Sequence, residues 1–211
     1  MTHRSLAYLP LLGAIGATAA LAAPGFDCGK ARSSTERLLC QDQGLAGLDR
    51  ETARLDRLAR IGQVATPRQR TALRADHRRW IKARDACWGR QDARQCLRER
   101  YAIRIHALRT HLADTRRKDA EGISTGPLVL ACQGFDSLIG LTFIGEQRDI
   151  AFIEWRNPAH SYVLDRERGG PGVTYTGSSA DGAAAFWTNG DRVQLALSDQ
   201  VTMECQIGEP D

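Results

Sequence analysis

Residues 149–155, DIAFIEW, and residues 161–165, SYVLD, stand on either side of Asn157-Pro158. Both are short runs rich in β-branched and aromatic residues, and the Asn-Pro pair between them is a turn signal. The same character extends outward. LVLAC (128–132) and LIGLTFI (138–144) precede them, and VTYTG (173–177), AAAFWT (183–188), RVQLAL (192–197) and VTMEC (201–205) follow. Gly145-Glu146, residues 169–172, Asp181-Gly182, Asn189-Gly190 and Ser198-Asp199 punctuate the series. About eight short strands at this spacing make an antiparallel barrel or sandwich. Cys132 falls in the first strand and Cys205 in the last, so a bridge between them would tie the two ends together. In the chain-entropy model a loop of that length is worth ~4 kcal/mol.

Upstream the period becomes helical. Ser33-Ser34-Thr35-Glu36 fits a capping box ahead of a short helix reaching Cys40. Leu45, Leu48, Leu55, Leu58 and Ile61 share a face of a second helix. Thr66 is an N-cap with Pro67 at the first helical position and Gln69 at the third. Leu73, His77, Trp80, Arg84, Cys87 and Trp88 mark a third helix. After a turn over 89–92, Leu97, Tyr101, Ile105, Leu108 and Leu112 mark a fourth. These elements make a small antiparallel bundle.

The expected fold is therefore two-domain α+β, a small antiparallel helical bundle followed by an eight-stranded antiparallel β-barrel. The helical domain runs over 23–113, a linker without apolar period over 114–126, and the barrel domain over 127–211.

Charge divides at the same place. Residues 25–120 hold 23 Lys and Arg against 12 Asp and Glu, whereas residues 121–211 hold 5 against 13. The overall net charge of +4 hides modules of opposite sign. The acidic module would attract a cationic partner. The excess arginine suits anionic wall polymer, membrane headgroups or the acidic sibling domain. Pairs such as Glu51 with Arg54 and Asp56 with Arg60 read equally well as a solvated helix face.

Residues 1–22 read as a removable secretory signal: Arg4 is a positive n-region, Leu6 to Leu21 an apolar stretch, and Ala20-Leu21-Ala22 a small-x-small cleavage site. The apolar core is too short and Gly-rich for a good transmembrane anchor. Gly25-Phe26-Asp27 precede Cys28, which disfavours a lipoprotein tether. A periplasmic or secreted protein that does not span the membrane is expected. In an oxidising compartment the six cysteines imply three disulfides. Cys28 with Cys40 and Cys87 with Cys96 are the favoured pairs in the basic half, with crossed pairing left open. Their spacings are not the short knuckles of zinc sites.

Enzymatic signatures are missing. There is no His-Glu-x-x-His, phosphate-cradling glycine loop or calcium loop. His77, His106, His111 and His160 have no second His or Cys at helical spacing, and Asp165 with Glu167 reads as a solvated turn bracketed by Arg166 and Arg168. No enzyme, metal, cofactor or nucleic-acid partner is expected; recognition is left.

FDCGKARSSTERLLC, Leu48-Asp49, RRWIKARDAC and CLRERYAIRIHAL together resemble the LprI-type N-terminal domain of exported bacterial proteins over residues 26–112. Residues 128–206 resemble the MliC/PliC family of bacterial inhibitors of c-type lysozyme. Cys132 and Cys205 match its end-to-end bridge and Tyr162-Val163-Leu164 its middle strand. Gly172-Val173-Thr174-Tyr175 matches the latter part of a Ser-Gly-x-x-Tyr loop, and Phe186-Trp187-Thr188-Asn189-Gly190 a Trp-x-Lys-Gly segment. Pro171 stands where that loop has Ser, and Asn189 where the segment has Lys.

The resemblance implies a plug that enters the substrate cleft of c-type lysozyme or a related muramidase and engages its two carboxylates. The residues it implies for contact are Gly170, Pro171, Gly172, Val173, Thr174, Tyr175, Trp187, Thr188, Asn189 and Asp191. Tyr175 and Trp187 suit the barrel core as well as an interface, and Asn189-Gly190 suits a type I′ hairpin whatever the function. Two alternatives remain open at this point: an immunity protein holding a dedicated secreted wall hydrolase, and a non-inhibitory envelope binding module whose basic helical domain holds wall polymer.

Overall fold

The computed structural model describes residues 23–62, 65–111, 113–116, 121–156, 159–189, 192–198 and 202–209. The expected signal sequence and Leu112 lie outside the described residues. Ser33 opens helix α1 (Ser34–Gln41) through the predicted capping box: its Oγ accepts from Glu36 N, and Glu36 Oε2 accepts from Ser33 N, each at 3.0 Å. Asp42 caps α2 (Gln43–Ile61) by accepting from Leu45 N. Thr66 and Gln69 form a second capping box at the start of α3 (Pro67–Asp85). Then come α4 (Ala93–His111) and the single turn α5 (Ala113–Arg116). Leu39, Leu55, Leu97, Tyr101, Ile105 and Leu108 are fully buried, the apolar stripes having met as their spacing requires.

The strands are β1 (Ser124–Cys132), β2 (Ile139–Ile144), β3 (Ile150–Arg156), β4 (Ala159–Arg166), β5 (Val173–Ser179), β6 (Gly182–Asn189), β7 (Arg192–Leu197) and β8 (Met203–Gly208). Each pairs antiparallel with the next, and β8 pairs back onto β1, closing the barrel. Closure removes the unpaired edges that an open sheet would present. Leu130, Leu141, Ile153, Leu164, Phe186 and Leu195 fill the interior. β1 begins at Ser124, inside the stretch read as linker, so the barrel takes in three residues more than the polar composition suggested.

All three disulfides follow the favoured pairing: Cys28–Cys40, Cys87–Cys96 and Cys132–Cys205. Cys132 and Cys205 are also register partners across the β1–β8 seam, so the bridge fastens the strands that close the barrel.

The two modules pack against each other. β2 and β3 are buried on both faces: Leu141, Phe143 and Ile153 point inward, while Ile144, Ile150 and Phe152 join the helical core. The His106 ring of α4 lies 4.6 Å from the Phe152 ring. Its Nδ1 shares a hydrogen bond with Thr142 Oγ1 at 2.7 Å, and its Nε2 lies 3.2 Å from Glu154 Oε1. Arg98 Nε donates to Asp165 Oδ1 at 2.7 Å. Arg109, 1% exposed, donates to Ser124 Oγ at 2.6 Å and also faces Glu51, which accepts from Ser124 Oγ. A buried ionic cluster thus spans the junction.

Several sequence expectations change here. The pairs Glu51–Arg54 and Asp56–Arg60 form, but both carboxylates are buried rather than solvated, because α4 and β1 close over Glu51 and α3 and α4 over Asp56. Ile61, at the end of α2, is 68% exposed. α3 ends at Asp85 and passes into a 3-10 turn (Ala86–Gly89), which buries Cys87 but leaves Trp88 53% exposed, off the predicted helix face. Asp165 and Glu167 are not merely solvated: Asp165 takes Arg98, and Glu167 accepts from Thr176 Oγ1.

Candidate functional site

Because neighbouring strands run in opposite directions, the β2–β3, β4–β5 and β6–β7 connections emerge at one end of the barrel. β5 and β6 are paired there, with Val173 opposite Thr188, Thr174 opposite Trp187 and Tyr175 opposite Phe186. This register brings the two segments singled out in the sequence side by side. Trp187 Nε1 donates to Pro171 O at 3.2 Å, fastening the β4–β5 loop to β6. Gly172 has φ of +85°, and a Cβ there would stand 2.5 Å from Thr188 O, so only glycine lets the loop lie this close.

Gly170, Pro171, Gly172 and Asn189 are exposed, and Val173, Thr174, Trp187 and Thr188 are half-buried. Alternation along β5 and β6 turns Thr174, Trp187 and Asn189 outward, while Val173 packs against the barrel core. Tyr175 does not belong to this surface. It is 2% exposed, with its ring 5.6 Å from that of Phe143 and 5.8 Å from that of Phe186. Burial pushes its hydroxyl pKa up, against the pull of Arg166 and Arg148 nearby. Asp191 lies outside the described residues. Asn189 is the last residue of β6, paired with Arg192, so it holds a strand position rather than the first turn position that Asn189-Gly190 suggested.

Four residues that the sequence reading did not select belong to the same end. The acidic module has only five Lys and Arg: Arg148, Arg156, Arg166, Arg168 and Arg192. All but Arg156 sit at this end, in or beside the β2–β3, β4–β5 and β6–β7 connections. Arg148 has φ of +56°, uncommon for a residue with a Cβ, and its guanidinium lies 5.2 Å from the Phe143 ring centroid. Arg166 donates to Gln147 O. Arg168 and Arg192 are exposed and, among the described residues, have no carboxylate partner. The sequence signal was available, since these cations adjoin the turn punctuation of a module otherwise short of them.

A cleft of about 480 Å³ adjoins this rim where the β2–β3 loop meets α2 and α4, lined by Gln43, Gly47, Arg98, Gln147 and Arg168 among others. The surface therefore presents guanidinium groups, amides and loop carbonyls interleaved with the carboxylates of Glu146, Asp149 and Glu167, suited to hydrogen bonding with a polar partner. Among the described residues, no group of three or more His, Cys, Asp or Glu is placed to hold a metal ion, and no helix is long and apolar enough to cross a membrane. His160, at the start of β4, pairs with Asp181 at 2.7 Å toward the opposite end.

No protein-family model matches the chain, and neither does any curated protein or solved structure.

Proposed function

We propose that this is an exported inhibitor of a peptidoglycan-cleaving muramidase of the c-lysozyme type, acting by occlusion: the rim formed by the β4–β5 loop and the end of β6 enters the substrate cleft. Export would be directed by residues 1–22, and three disulfides suit an oxidising compartment. The observation that carries the reading is the convergence of Gly170, Pro171, Gly172, Thr174, Trp187 and Asn189 on one accessible edge. Retaining glycosidases place two carboxyl groups ~5 Å apart across the bond they cleave. The rim gathers four of an acidic barrel's five cations, interleaved with Glu146, Asp149 and Glu167, so single guanidinium groups rather than a net positive surface would meet such a cleft. The acidic body supplies attraction to a basic enzyme at longer range. Purified protein added to c-type lysozyme in a cell-wall turbidity assay is expected to slow lysis at micromolar concentration. Undiminished lysis would count against the reading.

Pro171 and Asn189 favour a second target within the same mechanism. Both side chains lack the charge or hydroxyl of the motif they resemble, as expected if the rim is fitted to a dedicated secreted wall hydrolase. Capture of a bacterial muramidase from the producing species would support that version.

A further inference from the structure

α3 carries a surface that the rim does not use. At about 100° of turn and 1.5 Å of rise per residue, Arg68, Thr71, Arg74, Ala75, Arg78, Arg79 and Lys82 fall within one arc of about 140° that runs ~21 Å along the helix. All but Ala75 are exposed. The face toward the bundle is Leu73, His77, Trp80 and Arg84, and Arg84 is the one residue of α3 that is buried. Of the five cations on the outer face, Arg79 pairs with Asp76 at 3.2 Å; the other four have no carboxylate partner among the described residues. The acidic barrel does not consume them. It is held by α2, α4 and α5, with Glu51, Arg98, His106 and Arg109 making the polar contacts, whereas α3 packs on α2, α4 and the 3-10 turn.

We infer that this face of α3 binds a linear acidic glycan. Its cations do not converge on a point, as a pocket for a small anion requires. They are strung out, with Arg74, Arg78 and Lys82 at steps of ~6 Å, which matches repeated charge along an extended chain. A membrane surface is disfavoured because an interfacial helix needs an apolar side beside its basic one. Here no large apolar side chain lies on the outer arc. Nucleic acid is disfavoured because the stripe lacks the aromatic platforms on which unpaired bases stack, and because disulfide-bonded chains belong to oxidising compartments. This site stands apart from the rim and does not depend on muramidase inhibition.

The test is titration of the disulfide-intact full chain with polygalacturonate, with single-stranded DNA and anionic phosphatidylglycerol vesicles as competing probes. Wild type should bind polygalacturonate with an affinity that drops about tenfold or more between about 50 and 200 mM salt. Arg74→Gln/Arg78→Gln/Lys82→Gln should weaken binding about tenfold or more at low salt, while Arg74→Lys/Arg78→Lys retains it. Unchanged near-ultraviolet dichroism in each variant would tie the loss to the surface rather than to the fold. Absence of wild-type binding, equal binding by the neutralised variant, or tighter binding to DNA or vesicles would overturn the inference.

Discussion

Arg109 Nε donates to Ser124 Oγ at 2.6 Å across the junction of helices and barrel, with Glu51 accepting from the same hydroxyl. Arg109 also donates to the carbonyls of Thr115 and Gly126, so one guanidinium ties α4, α5 and β1. Removing it would leave a buried carboxylate and several carbonyls short of a donor. Arg109→Met is expected to lower unfolding stability by roughly 3 kcal/mol, read from the urea midpoint. A change within about 0.5 kcal/mol, the scatter of surface substitutions, would contradict this role.

Phe152 makes a second prediction about the same junction. It lies on the outer face of β3 and is buried against His106, so Phe152→Ala opens a cavity between the modules, not inside the barrel. The cost should be about 3–5 kcal/mol. Because the helical core includes Ile144, Ile150 and Phe152, tryptophan fluorescence and far-ultraviolet dichroism should report one coincident transition in the wild type. Two separated transitions would show that the modules unfold independently.

The hydrogen bond from His106 holds Glu154 below its ordinary carboxylate pKa, against the opposing effect of burial. A carboxylate whose folded pKa is depressed stabilises the fold fully above its unfolded value of about 4.3, and the contribution disappears as pH falls through the lower folded value. Wild type should therefore exceed Glu154→Gln in melting temperature at neutral pH, with the gap closing below about pH 4. A gap that is constant with pH, or that widens in acid, would rule this out.

Gly172 tests the backbone of the rim. With φ of +85° and Thr188 O directly in the path of a Cβ, Gly172→Ala should displace the loop from β6 at a cost of about 1–3 kcal/mol. The barrel should remain folded by far-ultraviolet dichroism while inhibition weakens. Full inhibitory potency in this variant would show that the loop's close approach to β6 is irrelevant to binding.

Local features were legible in the sequence. The boxes Ser33/Glu36 and Thr66/Gln69 depend on three-residue spacings, and the strands on short runs between turn residues, so both survive translation into structure. What was hidden depends on tertiary neighbours. Glu51 and Asp56 have unremarkable i+3 and i+4 partners, and only the arrival of Arg104, Arg109 and Ser124 makes them interior. The docking of the modules did leave a trace: DIAFIEW and LIGLTFI are more continuously apolar than a strand with one wet face should be. At the rim, the pairing of Asn189 with Arg192 required knowing the register, which the Asn-Gly turn signal placed one position early. Tyr175 could not be assigned to core or surface until the inward face of β5 was fixed by its pairing with Phe186.

The most direct measurement is the inhibition constant against c-type lysozyme in a cell-wall lysis assay, comparing wild type with Pro171→Asp and with Arg156→Gln. Pro171 sits at the exposed tip beside Trp187, and an added carboxylate there would face the carboxylates of the enzyme cleft, whereas Arg156 is exposed at the opposite end of the barrel. Inhibition by wild type is expected, with about tenfold or greater weakening by Pro171→Asp and unchanged potency for Arg156→Gln. Equal potency of Pro171→Asp and wild type, or no inhibition by any of the three, would contradict this expectation.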